Sequence, residues 1–329
     1  MVRRWGWIGI DGGGTKTSAV LGDDKGNILA YAVSGSTNVQ SVPFDKLKCN
    51  LKNLIDNLLQ ESEVQLTDVK AILFASAGGD RQRDKEILTS ALDFINDQEM
   101  NVFIENDALA ALASGNFGEP GMVLIAGTGS IGYNFSAEFK KTMRVGGWGH
   151  IFGDEGSGFD IGKQAVIAAL KQLDGRGEET ILDELIVKKL CVNHLEDIVP
   201  YFYQNQQLRS EVANLSKEVF QAAFSEDNVA SSIVNDAIDH LMILVGKLVE
   251  SSPDNYCLPL IICGGLFKSK WFTDKFHARI VDTYKNLPIV FPQFAPVVGS
   301  YIMSLKYSGI NINKEVKDNL LNSYESYMV

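Results

Sequence analysis

The segment GIDGGGTKT, Gly9–Thr17, places an aspartate and three glycines directly after an apolar run, and Thr-Lys-Thr directly after the glycines. The apolar run predicts a β-strand, and the residues TSAVLGD that come next have strand composition as well. A P-loop requires the spacing Gly-x-x-x-x-Gly-Lys-Ser/Thr and a following helix, whose N-terminus meets the phosphate. Because neither requirement is met, the segment predicts a glycine turn inside a β-hairpin.

A second glycine turn, GTGS, Gly127–Ser130, follows the apolar strand GMVLIA. Together with Gly132 it matches the dinucleotide-binding spacing Gly-x-Gly-x-x-Gly, but such a loop opens a helix, whereas the alternation in YNFSAEF is typical of a strand. Both halves of the chain thus follow the order strand, glycine turn, strand, polar turn, strand, with DDKGN and EFKK as the polar turns. We interpret this order as a duplication of architecture.

Phosphate binding would account for both turns, although either turn alone could be an ordinary hairpin. Successive backbone N–H groups in tight Gly/Thr turns form anion-binding nests, and Thr15, Thr128 and Ser130 add hydroxyl donors. Asp11 ends the first strand beside the predicted phosphates, where a carboxylate is tolerated only with a cation. We therefore predict Mg²⁺ beside Asp11.

Asp107 follows the strand NVFIE and begins the helical segment DALAALAS. Asn and Asp are favoured N-cap residues, so capping is one interpretation of this position. The other interpretation is a catalytic base, because the end of a strand in the first domain is where a residue of the catalytic cleft belongs.

The segment RVGGWGHIFGDEGSGFDIG, Arg144–Gly162, contains seven glycines, which surround Trp148, His150, Asp154 and Glu155. No regular element tolerates this glycine density, so the segment predicts a functional loop. Carboxylates and backbone amides suit sugar hydroxyls, and Trp148 offers a flat apolar face to a ring. A structural loop with a buried tryptophan is the alternative, and His150 by itself is typical of a packed histidine.

The composition excludes several classes of function. The net charge of −11 argues against a general nucleic-acid binder or a basic membrane-surface protein. The cysteines Cys49, Cys191, Cys257 and Cys263 form no C-x-x-C pair, which favours reduced thiols in a cytosolic protein. The first apolar run is too short for a signal peptide, and LMILVGKLV is too short to span a bilayer. We therefore expect a cytoplasmic protein.

A chain of 329 residues suggests about two domains, and its alternating strands and helices predict the α/β class. We place one domain at residues 1–117 and a larger one, with a helical insertion, at 118–329, because GNFGEPG breaks a helix between them. The insertion includes one helix predicted over SEVANLSKEVFQAAFS, residues 210–225. A last helix from about residue 296 is expected to pack back on the first domain.

Taken in order, the motifs DGGGTKT, END, LIAGTGS, GGWGHIFGDEGS and IICGGLF resemble those of the actin-like ATPase and sugar-kinase superfamily. Within it, the chain resembles the N-acetylglucosamine kinase branch of the BadF/BadG/BcrA/BcrD group. The matched frame runs from about residue 9 to 269, and GGWGH with GDEGS is its most specific part. The family often has glutamate where this chain has Asp11.

The resemblance implies two ribonuclease-H-like, actin-like ATPase domains with a cleft between them. It also implies an ATP-dependent kinase that phosphorylates an amino sugar, with the 6-hydroxyl of N-acetylglucosamine as the leading acceptor. Two alternatives stay open within the group: a glucosamine kinase, and an ATPase activator of a radical dehydratase that holds an iron–sulfur cluster. A non-catalytic sugar sensor is a third reading. The expected partners are ATP and an amino sugar, with neither nucleic acid nor membrane, and a homodimer is left open.

Carried over by position, the resemblance assigns Asp107 as the base, also touching the sugar, and Asp11 as the metal-side carboxylate. The residues assigned to ATP and Mg²⁺ are Asp11, Gly12, Gly13, Gly14, Thr15, Lys16, Gly127, Thr128, Gly129, Ser130, Ala223, Gly264, Gly265 and Ser269. The sugar site would add Asn38, Gly147, Trp148, Gly149 and Asp154.

Overall fold

The computed structural model describes residues 4–77, 79–95, 99–136, 141–204, 207–252 and 258–328. Cys257 and most of the predicted turn EFKK lie outside the described residues. The chain forms two compact units, one made of the residues up to 120 together with those from 290 onward, the other of residues 121–289.

The elements alternate along the chain as the α/β prediction requires. The strands are β1 Gly6–Gly12, β2 Lys16–Gly22, β3 Ile28–Gly35, β4 Val69–Ser76, β5 Asn101–Asn106, β6 Gly121–Ala126, β7 Ser130–Phe135, β8 Lys141–Gly146, β9 Leu260–Cys263 and β10 Ile289–Val290. The helices are α1 Phe44–Ser62, α2 Gln82–Ala91, α3 Asp107–Asn116, α4 Gly158–Leu173, α5 Leu182–Leu190, α6 Ile198–Gln204, α7 Leu208–Asn214, α8 Ser216–Phe224, α9 Asn228–Glu250, α10 Lys270–Thr283, α11 Pro296–Tyr307 and α12 Lys314–Met328.

Two sheets of five strands carry the fold, and they repeat one topology. The first has the order β3-β2-β1-β4-β5, and the second, taken from its other edge, has the order β8-β7-β6-β9-β10. In each sheet the first three strands pair antiparallel, as the predicted meander requires, and the fourth pairs parallel to the first. The duplication of architecture predicted from the two glycine turns is therefore confirmed.

One face of the first sheet is covered by α1, whose apolar residues recur at helical spacing. Leu47, Leu51, Leu54 and Leu58 are fully buried, and they share a core with Ile8 and Ile10 of β1. Because side chains alternate across a strand, Gly9 between these two isoleucines faces the opposite side of the sheet.

That opposite face is covered by α11. A Cβ atom on Gly9 would lie 2.1 Å from the backbone nitrogen of Tyr301, so the helix backbone lies directly on the strand. Tyr301 is fully buried, and its hydroxyl donates to the backbone carbonyl of Asp23. A second backbone contact joins α11 to α3, since a Cβ on Gly299 would lie 1.9 Å from the carbonyl oxygen of Ala110. The C-terminal segment thus completes the core of the first unit.

The helical insertion differs from the prediction at one point. Instead of one helix over residues 210–225, α7 ends at Asn214 and α8 begins at Ser216. The Ser216 hydroxyl donates to the carbonyl oxygen of Ala213 at 2.7 Å, a local hydrogen bond that competes with helix continuation. The prediction of a single helix is therefore wrong.

The helix α9 holds the apolar run LMILVGKLV that was judged too short to span a bilayer. With 23 residues, it is the one described helix whose length and composition would allow it to cross a membrane. A core helix passes the same test, and residues such as Val234, Leu241 and Val245 are buried in the core of the second unit. The observation is therefore weak evidence for a membrane span.

Replacing Gly9 by alanine tests the contact between β1 and α11. The added methyl group would overlap backbone atoms of α11 that cannot rotate away, so we expect the free energy of unfolding to fall by about 2–3 kcal/mol. Urea denaturation measures the change. The matched control is Gly14→Ala in the same unit, where the nearest atom to the new Cβ is 3.8 Å away. Equal stability of the two variants would contradict the contact.

Candidate functional site

Strand register brings three carboxylates together at one edge of the first sheet. β1, β4 and β5 run parallel, and Gly12 lies level with Ser76, which lies level with Asn106. Parallel strands end at the same edge, so Asp11 near the end of β1 and Asp107 after β5 become neighbours.

Asp80, which follows β4, is the third carboxylate of this group. It interacts electrostatically with Asp107, and sequence reasoning did not single it out. The available signal was its position just beyond the apolar strand ending at Ser76.

Burial and mutual repulsion disturb the ionisation of this group. Burial, followed by the charge of Asp107, raises the pKa of the Asp11 carboxyl to about 6, against the opposing charge of Lys16. Burial likewise raises the pKa of Asp107 to about 6, with a further contribution from Asp80 and against a hydrogen bond from the amide of Ala108. Perturbed carboxyl groups of this kind are typical of functional sites.

Asp107 is the first residue of α3 and is not its N-cap. The cap is Asn106, whose side-chain oxygen accepts a hydrogen bond from the amide of Ala108 at 2.8 Å. The capping interpretation of Asp107 is therefore wrong, because Asn106 caps the helix.

The first glycine turn joins β1 to β2 and is braced from β3. The amide of Gly13 donates to the carbonyl of Lys16 at 3.1 Å, and the Ser36 hydroxyl donates to the carbonyl of Gly13 at 3.0 Å. Asn38 lies beside this turn, since its side-chain nitrogen is 3.8 Å from the place of a Cβ on Gly14. Gly14, Thr15 and Lys16 are exposed, so the turn presents its tip to solvent or a ligand.

The carboxylates at this edge suit Mg²⁺ that is also bound by water and phosphate. They do not suit a metal ion bound by protein side chains alone. Among the described residues, no group of three or more His, Cys, Asp or Glu side chains could hold a metal ion. Mg²⁺ is usually held by one or two carboxylates with waters and substrate phosphates completing its shell. The unbalanced negative charge of Asp11 and Asp107 would be relieved by such an ion.

The second glycine turn joins β6 to β7 and is fixed by the start of α4. The amides of Gly158 and Phe159 donate to the carbonyls of Gly127 and Thr128, at 2.8 and 3.3 Å. Thr128 is exposed at the tip. Ser130, predicted as a hydroxyl donor to phosphate, is buried and donates to the carbonyl of Glu155 at 2.7 Å. Its hydroxyl therefore braces the loop that carries Glu155.

A cavity of about 430 Å³ opens beside this turn within the second unit. Four residues predicted to contact ATP line it: Gly127, Thr128, Gly265 and Ser269. Other lining residues, which the sequence did not reveal, include Lys217, Phe220 and Lys268. The cavity combines an aromatic ring and two cations with backbone groups, which suits a nucleotide.

Two further predicted ATP residues do not line that cavity. Ala223 is buried in α8, one turn beyond Phe220. Gly264 has a φ of 112°, and a Cβ there would lie 2.3 Å from the carbonyl oxygen of Ala126. Gly264 thus allows the backbone after β9 to approach β6, which positions Gly265.

The glycine-rich loop presents Trp148 to its surroundings, with 68% of the residue exposed. The Arg144 guanidinium lies 4.6 Å from the centre of the Trp148 ring and donates to the carbonyl of Gly147 at 2.6 Å. Gly147 and Gly149 have φ values of 71° and 89°, which glycine adopts without strain. The expectation of a buried tryptophan is thereby excluded, and Arg144 holds the exposed ring.

Asp154 lies in the same loop but points toward the second glycine turn. It is 3% exposed and has a φ of 63°, a conformation uncommon for a residue other than glycine. Its Oδ2 atom pairs with Arg209 Nη2 at 3.1 Å. Arg209 belongs to the helical insertion, where no sequence motif marks it.

Comparison with known proteins places these observations in a family. The model of the BadF/BadG/BcrA/BcrD ATPase family matches residues 8–304. An N-acetylmuramic acid/N-acetylglucosamine kinase of Clostridium acetobutylicum is 34% identical over 299 residues, covering 90% of this chain and 97% of the relative. An N-acetyl-D-glucosamine kinase of Dictyostelium discoideum is 32% identical over 311 residues, covering 91% and 97%.

Among solved structures, a candidate N-acetylglucosamine kinase from Chromobacterium violaceum aligns with a TM-score of 0.72 at 22% identity. The alignment covers 92% of this chain and 99% of that one. With the repeated strand order, this similarity confirms the predicted α/β fold of two ribonuclease-H-like domains. The family match confirms the resemblance read from the motifs.

The raised pKa of Asp107 predicts a stability change in Asp107→Asn. A carboxyl group with a folded-state pKa of about 6 against 3.8 favours folding while protonated, and this stability is lost as pH rises through 6. We therefore expect the free energy of unfolding of Asp107→Asn to exceed that of wild type by about 1–3 kcal/mol at pH 7.5. The difference should vanish below about pH 4.

Urea denaturation across pH measures this difference. The control is Asp174→Asn, because the exposed Asp174 carboxylate pairs with Arg176, which lowers its pKa. That variant should gain no stability at any pH. An Asp107→Asn variant that is less stable than wild type at pH 7.5 would contradict a destabilising charge at Asp107.

Proposed function

This chain belongs to the BadF/BadG/BcrA/BcrD ATPase family, and from that premise we propose that it phosphorylates the 6-hydroxyl of N-acetylglucosamine with ATP. The observation that carries the proposal is the pair Asp11 and Asp107, two carboxyl groups with a pKa of about 6 at one edge of the first sheet. The names of the two similar curated relatives support the choice of an N-acetylated amino sugar.

Asp107 is proposed as the general base. A base must be ionised at the working pH yet basic enough to take a proton, and a pKa of about 6 meets both requirements at neutral pH. Asp107 accepts the hydroxyl proton while the sugar oxygen bonds to the γ-phosphorus of ATP. The bond from that phosphorus to the β–γ bridging oxygen breaks, and ADP leaves with the electron pair.

Asp11 is proposed to hold Mg²⁺ together with water and phosphate oxygens. The bound ion would supply charge neutralisation for the triphosphate. The exposed tip Gly14–Lys16 of the first turn adds backbone amides and the Thr15 hydroxyl. Lys16 already opposes the negative charge of Asp11, so it acts through its charge.

The second unit is proposed to bind the nucleotide in the cavity beside Gly127 and Thr128. Phe220 offers an aromatic face to the base, and the backbone of Gly265 allows close approach. Ser269 lines the cavity as well, and its hydroxyl also accepts from the amide of Phe272 at 3.4 Å as the cap of α10.

The sugar is proposed to contact the glycine-rich loop of the second unit, at Gly147, Trp148 and Gly149. The exposed Trp148 ring is held by Arg144, so it is preorganised to pack on a pyranose face. The amides near Gly149 supply polar groups for sugar hydroxyls, while the buried Asp154 carboxylate is paired with Arg209.

A cytoplasmic location is proposed with this function. The described cysteines are Cys49, Cys191 and Cys263, of which Cys49 and Cys191 are exposed free thiols, as expected of a protein in a reducing compartment. They lie on α1, after α5 and at the end of β9, respectively, and this scatter gives the dehydratase-activator alternative no support. A homodimer stays a prediction.

A coupled ADP-release assay across a panel of sugars tests the function. We expect the highest kcat/KM with N-acetylglucosamine and a value about ten- to a hundredfold lower with glucosamine, since loss of one group from a shaped pocket has an effect of this size. N-acetylmannosamine, N-acetylmuramic acid and glucose complete the panel. Preference for glucosamine would contradict N-acetylglucosamine as the proposed acceptor. ADP release that no sugar stimulates would contradict the proposed kinase function.

The base role of Asp107 predicts both a rate and a pH dependence. Asp107→Asn should lower kcat by about 10²–10⁴ while calorimetry still detects ATP binding. In the wild type, kcat/KM should fall about tenfold per pH unit below a midpoint near 6, because the protonated carboxyl group cannot accept a proton. The surface variant Asp174→Asn serves as the control, and near-normal turnover of Asp107→Asn would remove Asp107 from this role.

A further inference from the structure

A cation from the helical insertion lies against the second glycine turn. A Cβ atom on Gly129 would lie 2.9 Å from Arg209 Nη2 and 2.7 Å from Asp154 Oδ2. Arg209 belongs to α7, far from Gly129 in sequence, so the fold brings it there. The preceding residues of the turn, Gly127 and Thr128, border the proposed nucleotide cavity.

The position of Arg209 is set by backbone contacts between α7 and α4. A Cβ on Gly162 of α4 would lie 1.9 Å from the carbonyl oxygen of Val212, and one on Gly158 would lie 3.2 Å from that of Ala213. The same α4 holds the glycine turn, through the hydrogen bond from the amide of Gly158 to the carbonyl of Gly127 at 2.8 Å. One helix thus fixes both the turn and the short helix that carries Arg209.

Asp154 fixes the guanidinium itself. Its carboxylate is buried and pairs with Arg209 Nη2 at 3.1 Å, while half of the Arg209 side chain, 50%, stays exposed. A guanidinium has five N–H donors in a fixed plane, so the contact with Asp154 orients the group and leaves donors for a second anion. The uncommon backbone conformation of Asp154, with φ 63°, indicates that the loop is built around this contact.

Resting on the proposed function, we propose that Arg209 binds the terminal phosphate of ATP and stabilises the charge that develops on it during transfer. Asp154 is the positioning residue for Arg209. Planar donors match phosphate oxygens in pairs, and a fixed cation beside developing charge is effective because it need not reorganise. Lys217 and Lys268 line the cavity together with Gly127 and Thr128, whereas Arg209 borders Gly129 and does not line the cavity.

The variants Arg209→Gln and Arg209→Lys test the proposal. We expect Arg209→Gln to lower kcat about 10²–10³-fold, as for the loss of one transition-state donor, with the KM for N-acetylglucosamine within twofold of wild type. Arg209→Lys should recover only part of this loss, since lysine keeps the charge without the planar fork. The matched control is Arg279→Gln, which breaks another Arg–Asp pair of the second unit, with Asp239 on the surface, and should leave turnover unchanged.

Calorimetric titration without sugar separates phosphate binding from a structural role. In Arg209→Gln, the affinity for MgATP should fall about tenfold while that for AMP stays unchanged. If Arg209 only supports Asp154, the variant will instead raise the sugar KM and lower the midpoint of thermal unfolding, with MgATP affinity unaltered, and the proposal is overturned.

The two proposals fail in different ways. A wild-type protein that binds no MgATP and phosphorylates no sugar overturns the kinase function together with this inference. A wild-type protein that is an active kinase, with an Arg209→Gln variant whose kcat lies within twofold of it, overturns the role of Arg209 alone.

Discussion

The first unit depends on the level ends of three parallel strands. Since β1, β4 and β5 finish in register, Asp11, Asp80 and Asp107 must share one edge, whatever this costs in repulsion. Burial is the main cause of the raised pKa values of Asp11 and Asp107, and this repulsion adds to both. The raised pKa, due mainly to burial, makes Asp107 basic enough to accept a proton. A cation beside Asp11 would offset the repulsion between the carboxylates. The carboxylates at this edge therefore lower the stability of the fold while they provide the groups for the proposed reaction.

The fold keeps this edge rigid by backbone contacts that only glycine permits. Gly9 lets α11 lie on β1 from one side, and α1 packs its leucines on the other. In the second unit, Gly162 lets α7 lie on α4 in the same manner. Close backbone contact leaves little freedom to slide, because a protein interior is packed without spare volume. Both glycine turns are thus held by elements far from them in sequence.

The sequence was sufficient for features that depend on local pattern. Alternating apolar runs and the glycine turns at Gly12 and Gly127 predicted the duplicated meander, and the spacing of Leu47 to Leu58 predicted α1. Strand ends predicted where Asp11 and Asp107 would lie. The family match then confirmed the motifs that carried the resemblance.

Features that depend on tertiary contact could not be predicted in this way. No motif marks Arg209, and only its position after an apolar strand marks Asp80, because their partners Asp154 and Asp107 are brought close only by folding. The sequence predicted that the Ser130 hydroxyl would donate to phosphate, whereas in the structure it donates to the carbonyl of Glu155. The break between α7 and α8 depends on a side-chain hydrogen bond that helical periodicity does not reveal.

The charged side chains at the two candidate sites differ in sign, and this bears on the proposed reaction. The chain carries a net charge of −11, yet Arg209, Lys217 and Lys268 all lie beside the second glycine turn or the cavity next to it. The edge with Asp11 and Asp107 is acidic. A triphosphate would be attracted to the cations beside the second glycine turn. Beside Asp11 and Asp107 it would need a bound cation. Phosphate affinity and proton acceptance are thus assigned to different units, so each can be altered by mutation without removing the other.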